Sequence, residues 1–101
     1  MNPFTRNFVC GRLDKETSSA LISLESSYGF EVEVKFKNHM GKFPYYWTII
    51  NRDDWRFMFS GTEMTWKSVE RAMKSVVEDI LTNMGETKKS IVMKSRLRGG
   101  K

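Results

Sequence analysis

The chain holds a single cysteine, Cys10, so no disulfide can form within it, which fits a reducing compartment. Its single histidine, His39, has no second His or Cys beside it to complete a metal-ligand set or to assemble a catalytic base, so neither a cofactor nor an enzymatic activity is expected. No run of about 18 or more apolar residues is present, and the opening "MNPFTRNFVCGR" lacks the apolar stretch of a secretory leader. A cytoplasmic protein with no membrane partner is the expectation. No glycine-rich turn leads from a strand into a Lys-Ser/Thr helix start, which argues against a phosphate-cradling loop and nucleotide hydrolysis. Asp53 and Asp54 are sequence neighbours that point apart in extended chain, so they read as turn formers rather than an acid–base pair.

What is present suits one packed domain. Of 101 residues 40% are hydrophobic and 13% aromatic, enough for a core but too few for two separate ones. The net charge of +5 is unevenly distributed. Six basic residues (Lys88, Lys89, Lys94, Arg96, Arg98 and Lys101) and no acidic ones lie from Thr87 onward, while residues 1–86 set 11 basic side chains against 12 acidic ones. The body is nearly neutral and the tail supplies the excess. Residues 1–86 are therefore expected to form a single α+β domain. Residues 87–101 are expected as a basic C-terminal tail: an arm that tracks phosphates, a solubilising end, or an edge strand added through "SIVMK".

"LDKETSSALISLESSYG" carries Leu13, Ala20, Leu21, Leu24 and Tyr28 at helical spacing, with Asp14 to cap its start and Gly29 to end it. "FEVEVKFK" alternates strictly, Phe30, Val32, Val34 and Phe36 against Glu31, Glu33, Lys35 and Lys37, and predicts a strand. "YYWTIIN" is aromatic and β-branched on both faces, as a central strand would be. "WRFMFSG" resumes alternation after the polar turn "NRDD" and completes an antiparallel meander. From Thr65 the period becomes 3.6, with Trp66, Val69, Met73, Val76, Val77, Ile80, Leu81 and Met84 in one stripe and Gly85 as the stop. The order α-β-β-β-α gives a two-layer α+β domain: a three-stranded antiparallel sheet with helices on one face.

Lys67, Arg71 and Lys74 fall in one row on the last helix, away from that stripe. The row is either the wet side of a core helix or a surface that grips phosphates. Over residues 13 to 84 the chain resembles the double-stranded RNA-binding domain in element order. His39 and Phe43, four residues apart in "HMGKF" with Lys42 between them, match that family's loop, and Lys67, Arg71 and Lys74 beside Ala72 match the basic opening of its second helix. The family's glycine-proline pair before the histidine is absent, and Glu70 and Glu78 flank the basic row.

The resemblance implies recognition of A-form RNA by shape, with the first helix (Lys15, Ser19, Ser23, Ser26) offering groups to 2′-hydroxyls. A small non-enzymatic nucleic-acid-binding protein is thus expected, with RNA, and alternatively DNA, as partner. Its contacts would come from Lys67, Arg71, Lys74, Lys42 and His39, and from Lys88, Lys89, Lys94, Arg96 and Arg98 of the tail. The alternative is a small phage-type inhibitor or regulator that binds a host protein. Tyr45, Tyr46, Trp47, Trp55, Phe57 and Phe59 could stack bases on a bare sheet, or lie under helices while Ile50 or Ile49, with Met58, on the other face supports a homodimer.

Overall fold

Two helices precede the sheet. Asn2 Oδ1 accepts from the Thr5 amide (2.8 Å) and Pro3 fills the first turn, so α1 runs Pro3–Arg12. The computed structural model describes residues 1–37 and 41–99, without the side chains of 96–99. Asp14 caps α2, Lys15–Tyr28, and Gly29 ends it at φ 75°, a left-handed conformation that glycine adopts without steric cost. Ser18 Oγ donates to the carbonyl of Val9 (2.5 Å), satisfying an orphan acceptor at the end of α1.

Strands β1 (Phe30–Phe36), β2 (Tyr45–Asn51) and β3 (Met58–Glu63) form an antiparallel sheet in the order β1-β2-β3. The register sets Val32 against Ile49 and Val34 against Trp47, and the helices bury this face. Helix α3, Trp66–Met84, is capped by Thr65 and buries Val69, Met73, Val77, Ile80 and Leu81 against the sheet side of the core. Each such fully buried aliphatic side chain contributes about 1.5–3 kcal/mol relative to exposure. The opposite sheet face carries Glu31, Glu33 and Lys35 beside Thr48, Ile50 and Met58, with no helix over it.

The α+β class with one antiparallel three-stranded sheet is as expected, but the order is α-α-β-β-β-α-α. Segment 87–101 is not an added edge strand or a loose tail over most of its length: Lys88–Gly99 is helix α4. Thr87 Oγ1 accepts from the Ser90 amide (3.1 Å) while Ser90 Oγ accepts from the Thr87 amide (2.8 Å), a reciprocal cap. Ile91 is then fully buried, and α4 packs chiefly on α2. Strand β3 begins at Met58, later than "WRFMFSG" suggests, because Asp54 holds Arg56 through Nε (3.0 Å) and NH2 (2.8 Å) and closes a turn over Asn51–Phe57. Trp55 therefore sits in that turn, 81% exposed, rather than in the strand.

At Val34 the β1 edge is covered by α1. Thr5 Oγ1 accepts from the Val34 amide (3.0 Å) and donates to its carbonyl (3.3 Å), so one hydroxyl satisfies both edge groups. At β2–β3 the Trp47 ring lies over Gly61, and its Nε1 donates to Glu63 Oε2 (3.0 Å). A Cβ at residue 61 would meet that ring at 2.7–2.9 Å.

Two stability outcomes follow from this packing. Gly61→Ala is expected to cost about 1–3 kcal/mol by forcing the buried indole to move. Ile91→Ala is expected to cost about 2–5 kcal/mol, marking α4 as part of the core. Urea unfolding followed by tryptophan fluorescence measures both; an unchanged midpoint for Ile91→Ala would mean that α4 is not docked.

Candidate nucleic-acid interface

The antiparallel register brings several basic elements to one end of the sheet. Phe36 pairs with Tyr45 and Tyr45 with Glu63, so the β1–β2 loop and the start of α3 leave the sheet at the same end. Helix α2 ends where β1 begins and packs back along it, so its N-terminus and the end of α1 lie there too. Trp66 joins these pieces, with its ring 4.2 Å from Tyr45 and 4.9 Å from Phe8 between centroids. The Arg12 guanidinium lies 5.3 Å from the Trp66 centroid, within cation–π range.

Lys67, Arg71 and Lys74 are all exposed on α3, one helical row as the spacing predicts. A cleft of about 190 Å³ separates this row from the α1–α2 turn; Arg12, Leu13 and Asp14 line its other wall. The two acids flanking the row are each engaged by a cation from another element: Glu70 by Arg12 (3.7 Å) and Glu78 by Lys88 (3.5 Å). Lys67, Arg71 and Lys74 make no ion pair among the described residues. Arg12 was not among the residues expected from sequence, because α1 itself was not; the Asn2-Pro3 start signal is what would have exposed it.

The other expected residues separate into groups. Lys42 and Phe43 are exposed in the β1–β2 loop, at the same end as Lys67. His39 lies outside the described residues. In α4, Lys88 is committed to the fold, its Nζ donating to Thr17 Oγ1 (2.9 Å), and Lys94 pairs with Glu86. Lys89 is exposed, whereas the side chains of Arg96 and Arg98 are outside the described ones. Ser23, expected on the wet face of the first helix, is 5% exposed and cannot reach a groove. Of the aromatics, Trp47 is buried and Tyr45, Phe57 and Phe59 pack against the core, which leaves half-buried Tyr46, opposite Lys35 on the open sheet face, and Trp55 in the turn. Among the described residues no three His, Cys, Asp or Glu side chains converge as a metal site, and no helix is long and apolar enough to cross a membrane.

Asp14 organises the turn beneath the cleft. Burial pushes its carboxyl up, but hydrogen bonds from the Thr17 hydroxyl (2.8 Å) and amide (3.0 Å), with Lys88 and Lys74 nearby, outweigh this and hold it below the ordinary value of 3.8. No protein-family model, curated protein or solved structure matches the chain.

A carboxyl whose folded-state pKa is depressed stabilises above its unfolded value, and that stability is lost as pH falls through the folded value. Asp14→Ala is thus expected to cost about 1 kcal/mol at neutral pH, as loss of a helix cap does. In urea melts the gap between variant and parent should close as pH falls further below the ordinary value of 3.8. A gap that persists there would place the Asp14 contribution in packing rather than charge.

Proposed function

We propose that the protein binds structured or double-stranded RNA, without catalysing a reaction, through the basic row of α3. The observation that carries this reading is charge that the fold leaves unanswered. Arg12 and Lys88 neutralise the flanking acids, and Lys67, Arg71 and Lys74 remain exposed and unpaired among the described residues. Cations in such a row can each neutralise a backbone phosphate and release a counterion. Lys42 in the β1–β2 loop stands at the same end of the sheet, so a helix face and a loop can span adjacent grooves of an A-form duplex. This is the arrangement that the resemblance to the double-stranded RNA-binding domain implies. Exposed Lys89, and Arg96 and Arg98 further along α4, would add sequence-independent affinity.

A second reading, a regulator that binds a host protein, draws on a different surface: Ile50 and Met58 on the uncovered sheet face, and the exposed indole of Trp55 beside it. The same face would serve a homodimer.

Fluorescence anisotropy of the full chain with blunt duplex RNA, duplex DNA and single-stranded RNA separates these. The expected result is a preference for duplex RNA that falls steeply with salt. Lys67→Ala and Arg71→Ala should each weaken binding and lower the salt slope by roughly one. Binding that is unaffected by both substitutions, or that is absent, would contradict the reading and turn attention to the sheet face.

A further inference from the structure

A second cleft lies between the start of α1 and the end of β1 and is lined differently. It measures about 350 Å³ and is bounded by Asn2, Phe4, Val34, Lys35, Phe36 and Lys37. Phe4 and Phe36 are 48% and 45% exposed, although both stand among aromatics that could have covered them. Phe4 lies 6.0 Å from Trp66, and Phe36 lies 5.1 Å from Tyr45, which in turn packs at 4.2 Å on Trp66. The two open rings are therefore the ends of one aromatic tier whose middle is packed. Such a tier holds its outer rings in place before any ligand arrives.

The surroundings of the rings narrow the ligand. Lys37 makes no ion pair among the described residues, and Lys35 pairs only with Glu33 (3.1 Å). Phe36 lies on the outer edge of β1, in the same row as Val34, whose amide and carbonyl Thr5 occupies; the backbone groups of Phe36 have no β2 partner. Apolar faces, an edge with hydrogen-bonding capacity and a cation on the rim suit a flat, polar-edged ring that carries a phosphate.

We propose that this cleft receives an unpaired nucleobase, from a single-stranded extension of the RNA duplex held by Lys67, Arg71 and Lys74. The inference rests on the proposed RNA binding and deepens it, naming a duplex with an overhang as the preferred substrate. Trp66 is the shared element: its ring meets Arg12, which lines the cleft of the basic row, and Phe4, which lines this one. A strand leaving the duplex at the start of α3 would pass Trp66 to reach this cleft.

The test compares three ligands by anisotropy with the full chain: a blunt RNA duplex, the same duplex with a short single-stranded overhang, and that overhang with abasic sugars. The abasic version keeps the phosphates and removes the ring. The overhang is expected to bind roughly 5- to 150-fold tighter than the abasic form, the range of one stacked base. Phe4→Leu and Phe36→Leu should each reduce that gain while blunt-duplex affinity stays unchanged; circular dichroism checks the fold of each. As an independent readout that needs no variant, 2-aminopurine in the overhang should change its fluorescence on binding. Equal affinity for the natural and abasic overhangs, with the blunt duplex still bound, would overturn the cleft and leave the duplex reading standing. Absence of binding to every RNA would overturn both.

Discussion

Trp66 is the contact on which the arrangement depends. One indole touches α1 through Phe8, the central strand through Tyr45, and the guanidinium of Arg12, while its own backbone opens α3. Aromatic pairs of this kind contribute about 0.5–1.5 kcal/mol each beyond the area they bury. Their larger consequence is geometric. With α3 anchored at its first residue, Lys67, Arg71 and Lys74 stand at a set distance from the α1–α2 turn, and the β1–β2 loop lies at the same end. Remove the indole and α3 would still be docked through Val69, Met73 and Val77, but its first turn would lose its contacts with Phe8, Tyr45 and Arg12.

The charge pattern follows from how the helices dock. Helix α4 brings Lys88 to Glu78 and Thr17, and α1 brings Arg12 to Glu70. Each added helix therefore consumes an acid that the basic row would otherwise meet on its own surface. Exposed pairs such as these stabilise the fold weakly, by about 1 kcal/mol or less. They leave the three cations of the row without an ion pair among the described residues, with Asp14 on the facing wall of the cleft as the nearby carboxylate. Of the basic residues that composition assigns to the tail, Lys88 and Lys94 are engaged by the fold.

Sequence patterning revealed most of the fold where a single period ran unbroken. Phe30, Val32 and Val34 of β1 and Val69, Met73, Val77, Ile80 and Leu81 of α3 are buried as their spacing indicates, while Phe36 stays 45% exposed and Trp66, Val76 and Met84 are half-buried. Helices α1 and α4 were less legible because neither carries a long stripe. Among its described side chains helix α4 has one that is fully buried, Ile91, and it starts at a Thr87–Ser90 cap in which serine stands where glutamate or glutamine is usual. Helix α1 buries Thr5, a polar residue that helical periodicity does not count, because its hydroxyl closes the edge of β1. The basic row itself was readable from residue spacing. Its partner Arg12, and the pairing of Glu70 and Glu78, depend on contacts between elements distant in sequence, which no local pattern carries.

If the end of the molecule built around Trp66 meets RNA as proposed, amide chemical shifts followed by NMR during titration with a short RNA duplex will locate the contact. Shifts are expected to concentrate at Arg12, in the first two turns of α3 and in the loop around Lys42, with Glu31, Thr48, Ile50 and Met58 on the open sheet face unmoved. Shifts centred on that sheet face, or none at saturating RNA, would contradict the proposal.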